Sequence, residues 1–203
     1  PEAVAWEPGH PFLYDIVYEV CDGAGQVIDT VKSYAGMRKI HIEGDRMFLN
    51  NRPLFVRFVL DQGFYEEGIW TAPDDAALKR DIELSMTAGF NGARLHQKIF
   101  EERFHYWADR LGYLTWAEFP DWGVGFWRYY SKDPLNYYPG ILNYMAEWRA
   151  VVELDLNHPS IIAWTPLNET ARYMDLPEHR RFVGDIYDLT RSVDPTRPVN
   201  DSS

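Results

Sequence analysis

Cysteine is almost absent. Cys21 is the only one in 203 residues, so neither an internal disulfide nor a thiolate metal cluster can form within the chain. A single thiol fits a reducing compartment such as the cytoplasm. Positive charge is also scarce. Lys and Arg number 20 against 31 Asp and Glu, a net charge of −11, which leaves no basic footprint for nucleic acid or an anionic membrane. No apolar run approaches the roughly 20 residues that a membrane-spanning helix needs. No histidine pair has metal-ligand spacing, so no metal and no cofactor is expected. The composition is otherwise rich: 46% hydrophobic and 16% aromatic, with eight Trp and thirteen Tyr. Such aromatics stack on sugar faces, but they also fill ordinary cores, and composition alone favours the second use.

The pattern changes along the chain. Residues 12–20 are rich in β-branched and aromatic types and alternate apolar with polar in the middle of the run, Asp22-Gly23-Ala24-Gly25 reads as a turn, and Val27 to Tyr34 supplies a second strand. This predicts a hairpin from an antiparallel β domain. A short strand from Met37 to Ile42 and a hairpin over Phe48 to Leu54 follow. From Phe55 the pattern is strand, helix, strand, helix. Strands are predicted at 55–60, 91–95, 113–117 and 161–165, with a fifth opening at Pro198-Val199-Asn200. The first helix should start at Thr71-Ala72-Pro73-Asp74, with Thr71 as cap, and carry Leu78, Ile82 and Met86 on its apolar face until Gly89 ends it. Phe100, Phe104, Trp107 and Leu111 form a second helical stripe closed by Gly112. A third helix spans about 138–156, and Phe182, Ile186, Leu189 and Val193 mark a fourth. Trp107, Trp148 and Trp164 fall at core positions, and His158 before Pro159 shapes a turn.

Alternating units of this kind make a parallel sheet. No Gly-rich fingerprint follows the first strand, which argues against a dinucleotide site. Polar residues instead gather after each strand: Asp61-Gln62, His96-Gln97, Glu118 to Trp122, Asn168-Glu169 and Asn200-Asp201. That favours a (β/α)8 barrel with its site at the C-terminal face. The sharpest signal is Thr165-Pro166-Leu167-Asn168-Glu169-Thr170 after the apolar strand Ile161 to Trp164. A carboxylic acid beside an amide suits proton transfer to a sugar leaving group. A lone Asn-Glu would more often be a surface loop; the series of strand ends reverses those odds.

These residues resemble glycoside hydrolase family 2, the β-galactosidases, β-glucuronidases and β-mannosidases. Trp6-Glu7-Pro8-Gly9-His10-Pro11-Phe12-Leu13-Tyr14 resembles the Trp-x-Pro-x-x-Pro-x-Leu-Tyr of its immunoglobulin-like middle domain. Gly36-Met37-Arg38, Phe48-Leu49-Asn50-Asn51-Arg52-Pro53 and Ala88-Gly89-Phe90-Asn91-Gly92-Ala93-Arg94 resemble the approach to its barrel and the second barrel strand. Asn157-His158-Pro159-Ser160 leading to Asn168-Glu169, and Val193-Asp194-Pro195-Thr196-Arg197-Pro198, resemble its acid/base segment and the entry to the fifth strand. Two places depart from the family. His96 stands one residue early relative to Arg-x-x-His-Tyr-Pro, and Ala117-Glu118-Phe119-Pro120 replaces Asp-Glu-Ala-Asn.

The resemblance implies an α/β chain in two parts. Residues 1–43 would be the last strands of an immunoglobulin-like sandwich, and 44–203 the first half of a TIM barrel, about five strands. It implies a retaining β-glycosidase acting on galactoside, glucuronide or mannoside-type sugars. Glu169 would be the general acid/base, in an environment where burial or a like-charged neighbour favours its protonated form. Asn168 would bond the sugar 2-hydroxyl, and Arg94 would hold the nucleophile carboxylate ionised. His96, Glu118 and Asp61 are candidate hydroxyl ligands, and Trp122, with Trp127 and Tyr129, a candidate stacking platform. The nucleophile would be a second Glu beyond residue 203, so the chain reads as an inactive fragment of a longer enzyme. Its partners would be a carbohydrate substrate and, because a half barrel exposes strand edges, further copies of itself. The rival reading is a carbohydrate-binding or scaffold barrel without catalysis.

Overall fold

The computed structural model describes residues 3–121, 137–169 and 177–201. Trp122, Trp127 and Tyr129 lie outside them. The chain opens with an antiparallel ribbon of β1 (Tyr14–Cys21) and β2 (Val27–Ala35), broken in register between Val20 and Cys21. The Asp22 carboxylate accepts from Ala24 and Gln26 N–H and closes the turn between them. A small antiparallel sheet follows: β3 (Ile40–Glu43), β4 (Arg46–Leu49) and β5 (Arg52–Leu54). Asn50 and Asn51 both sit at positive φ between β4 and β5, which their short polar side chains tolerate in a tight hairpin.

The remaining strands form one parallel sheet in the order β6 (Phe58–Asp61), β7 (Gly92–Leu95), β8 (Leu114–Glu118), β9 (Ile161–Thr165). Helices α1 (Asp75–Thr87), α2 (Glu102–Leu111) and α3 (Tyr137–Asp155) connect them, and α4 (Pro177–Val193) follows β9. β9 is buried at all five positions, as a strand covered on both faces must be. The expected fifth strand is a single parallel bridge, Trp164 to Val199, with Pro198 accepting from Trp164 N–H and Asn200 donating back.

Three further expectations are corrected. The α1 cap is Asp74, whose carboxylate accepts from Ala77 N–H at 2.7 Å; Thr71 is tied into a turn on Gly68, and Pro73 precedes the cap. An aspartate at this position satisfies an orphan donor and complements the helix dipole. Met86 is exposed, and Ala77 joins Leu78 and Ile82 on the buried face instead. On α4 the buried series runs Phe182, Val183, Ile186, Thr190, with the Thr190 hydroxyl accepting from Trp148 Nε1. Gly112 closes α2 in the left-handed conformation, as its position predicts.

The core has two layers on the same, helix-covered side of the sheet, where Leu95, Ala117 and Trp164 pair in register, and a floor. One layer packs Tyr144, Trp148 and Val152 of α3 against Trp164 and Ile186. Another joins Leu78 and Ile82 of α1 to Leu95 and Phe104. The floor is Trp6, Ile40 and Leu49 against Leu114 and Ile162, the first residues of β8 and the second of β9. Beneath it lies a polar junction. Trp6 Nε1 donates to the Asp109 carbonyl at 2.7 Å. The buried Asp109 carboxylate accepts from Tyr34 hydroxyl at 2.8 Å and Ser160 N–H at 2.9 Å, and meets His158 Nδ1 at 2.6 Å. Arg38 reaches the Pro159 and Ile161 carbonyls, and Arg197 donates to those of Leu156, His158 and Ile161. The antiparallel part is therefore fastened to the start of β9. His158 shapes its turn, as expected, and also carries this contact.

Candidate active site

Four adjacent parallel strands deliver their C-terminal ends to one face. Asp61 ends β6, and its carbonyl accepts His96 N–H at 2.7 Å from the end of β7. Asp61 Oδ1 turns back to accept Gly63 N–H at 2.8 Å, so one of its oxygens shapes the following loop. Burial raises its carboxyl above the usual range.

Arg94 is the pivot. From β7 its Nε donates to Glu118 Oε2 at 2.6 Å and its Nη2 to Asn168 Oδ1 at 2.8 Å. The planar fork allows both at once. Glu118 is 0% exposed. Its Oε1 accepts Gln97 N–H at 3.0 Å and lies 2.9 Å from His96 Nδ1. Burial, then the neighbouring guanidinium, lowers His96 below its ordinary value. A neutral ring that meets a carboxylate through Nδ1 must carry its hydrogen there. Arg94 Nη2, 3.5 Å from the same nitrogen, then faces a second donor and makes no bond with it. Burial pushes Glu118 upward, while Arg94 and the Gln97 N–H favour its ionised form. These partners are all donors, so the ionised form is the one this setting accommodates.

Asn168 is buried, and Glu169 beside it is exposed. Glu169 sits at φ 51, left-handed, as does Gln97 at the same value. Such backbone costs a side-chain-bearing residue about 1 kcal/mol or more and gathers at functional sites. Glu169 acts electrostatically on both His96 and Asp121.

The structure thus brings Asp61, Arg94, His96, Glu118, Asn168 and Glu169 to one face. It gives Arg94 to Glu118 and Asn168. Residues 97, 98 and 121 were not singled out from sequence. Gln97 supplies a backbone donor to Glu118. Lys98 is buried and ties the loop after β6 through the Gly63 and Trp70 carbonyls. Asp121 accepts Asn168 N–H at 3.0 Å. The signal for Asp121 was present: a carboxylate three residues past a strand end that already bore one. Among the described residues no group of three or more His, Cys, Asp or Glu side chains is arranged to hold a metal ion, and no helix is long and apolar enough to cross a membrane.

A half barrel with carboxylates, an amide and an arginine at its strand ends agrees with two sequence-family models. Residues 40–203 match the TIM barrel domain of glycosyl hydrolases family 2, and residues 1–38 match a second family 2 model. The chain belongs to this family. A beta-glucuronidase from Paenibacillus borealis is 26% identical over 201 residues, covering 96% of this chain and 33% of that protein. A beta-galactosidase from Alteromonas mediterranea is 30% identical over 196 residues, covering 96% of this chain but 18% of its own length. Among solved structures, the GH2 beta-galacturonidase from Eisenbergiella tayi bound to galacturonate superposes with a TM-score of 0.82 at 27% identity, over 97% of this chain and 34% of that one. The beta-D-glucuronidase of Dictyoglomus thermophilum, at 24% identity and TM-score 0.85 over 97% of this chain and 34% of its own, shares the fold. The chain therefore spans about a third or less of the relatives it matches.

Proposed function

We propose that this chain supplies the acid/base half of a retaining β-glycosidase active site. Glu169 protonates the leaving-group oxygen and then takes a proton from water, and Asn168 bonds the sugar 2-hydroxyl. The observation that carries this reading is the left-handed backbone of Glu169 just beyond the end of β9, with the preceding Asn168 held by Arg94 from two strands away. Asp61 and His96, at the exits of β6 and β7, would bond hydroxyls of the bound sugar in this reading. The substrate class is a β-linked galactoside, glucuronide or related glycoside, supported by the names of the relatives.

Glu118 is unsuited to be the nucleophile. It is fully buried, and its oxygens are engaged by Arg94, Gln97 and His96. An attacking carboxylate needs a free lone pair in line with the anomeric carbon. The nucleophile in this reading is a Glu supplied from beyond residue 203, and residues 1–203 alone hydrolyse no glycoside.

The test is Glu169→Ala in the whole enzyme. Turnover of unactivated glycosides should collapse, while aryl glycosides with good leaving groups should be spared, since they need little protonation. Azide should partly restore the second step. Full activity on unactivated substrates would remove Glu169 from this role.

A further inference from the structure

Asp121 is 6% exposed and lies where the chain leaves β8. Its Oδ2 accepts the backbone N–H of Asn168 at 3.0 Å, which joins the exits of β8 and β9. Asn168 is then held at two points, its backbone by Asp121 and its side-chain oxygen by Arg94. The residue that follows is Glu169, whose left-handed backbone persists only where its neighbours fix it. We propose that Asp121 is a positioning residue: its carboxylate holds the Asn168-Glu169 turn in the conformation that presents Glu169 to the leaving group. The inference rests on the reading of Glu169 as acid/base, and it assigns the device that aims that acid.

The charged groups around Asp121 come from three strand ends. Glu118 ends β8 and Glu169 follows β9, both acidic. Arg94 and His96 belong to β7 and its exit, and both are committed to Glu118, Arg94 also to Asn168. Burial first, and repulsion from Glu118 and Glu169 with it, pushes Asp121 up to about 6, against the pull of the Asn168 N–H. An ionised carboxylate accepts that N–H more strongly than a neutral one. The turn is therefore gripped above about pH 6 and loosened below it.

Two variants of the whole enzyme separate the hydrogen bond from the charge. Asp121→Ala removes the acceptor. It should lower kcat/KM about thirtyfold on unactivated glycosides, the scale of a lost bond to a charged group. It should lower kcat/KM much less on aryl glycosides with good leaving groups, because a misaimed acid matters only where protonation is needed. Asp121→Asn keeps an acceptor without the charge. Its losses should be smaller, and the acid limb of its pH–rate profile should move down by about one unit or more. Equal losses on both substrate types in Asp121→Ala, or an acid limb unmoved in Asp121→Asn, would overturn the proposal. If Asp121→Ala fails to fold, the pH profile of Asp121→Asn decides alone. Loss of leaving-group dependence in Glu169→Ala itself would sink the acid/base reading. Its retention there, with silent Asp121 variants, would sink only this one.

Discussion

Arg94 binds Asn168 across the full width of β8. The guanidinium leaves β7, passes the strand end at Glu118 and reaches the Asn168 side chain at 2.8 Å. One cation thereby sets the spacing of three strand exits. Lysine cannot make both bonds from one planar head. Arg94→Lys should lower kcat/KM of the whole enzyme about ten- to a hundredfold, from losing charge-assisted bonds of about 1.5–3 kcal/mol. Activity within twofold of wild type would show that the fork is dispensable.

Asp109 gathers Tyr34, His158 and Ser160 under the barrel floor. Burial alone would lower His158, but the Asp109 carboxylate outweighs it and the histidine is raised overall. A raised histidine adds stability that is present below its unfolded value of about 6.5 and is lost as pH rises through its folded value. Asp109→Asn should cost about 3 kcal/mol or more and abolish that slope. Urea unfolding at several pH values between 5 and 9 measures both effects; parallel wild-type and variant curves would contradict the assignment.

Asp155 closes α3 at 2% exposure, at the end of the helix dipole that repels a carboxylate. Burial pushes it up to about 6. Its ionised form is disfavoured in the fold, so stability falls as pH rises from about 4, the unfolded value, through about 6. Asp155→Asn should be more stable than wild type at pH 8 by about 2–3 kcal/mol, with the difference closing below about pH 4. A destabilised variant at pH 8 would mean that the charge is needed by His158 or Arg197.

Gly92 opens β7 with no room for a side chain. A Cβ there would press on the Leu114 carbonyl oxygen and the Phe58 ring. Two neighbouring strands would have to part. Gly92→Ala should cost about 1–3 kcal/mol, read from the urea midpoint. A neutral midpoint would show that the strands part at no cost.

Residues 1–203 expose Val17, Tyr18, Val20, Ile28 and Val31 on a two-stranded ribbon, and Leu60 and Leu84 beside the β6 edge. Apolar surface of this kind on an unpaired edge promotes association. The isolated chain should form dimers or larger species at micromolar concentration in analytical ultracentrifugation. A strict monomer would exclude this.

The sequence showed where chemistry gathers better than how it is fixed. Strand-end polar clusters announced Asp61, His96, Glu118 and Glu169, because a parallel sheet sends every strand exit to one face. Their bonding partners were not legible. Arg94 to Asn168 spans 74 positions, and no local pattern encodes that contact. The polar junction was hidden for a related reason. His105 and Asp109 are buried on α2 beside Phe104 and Ala108, and a hydrophobic stripe reads such positions as solvent-facing. The Thr71 cap failed because two capping residues, Thr71 and Asp74, competed within four positions. Asp74 won through a bond that only the folded turn decides.

The fastening of Arg38 to Pro159 joins residues 121 positions apart. On a ribosome adding about 5–20 residues per second, Arg38 would be made roughly ten seconds before its acceptor exists. For that interval the β1–β2 ribbon and Trp6 have no β9 turn to close against. Nascent chains stalled before residue 155 should therefore be cut by protease around Trp6 and Tyr34, and chains released at 203 should resist. Equal resistance at both lengths would mean that the antiparallel part folds without waiting for the barrel.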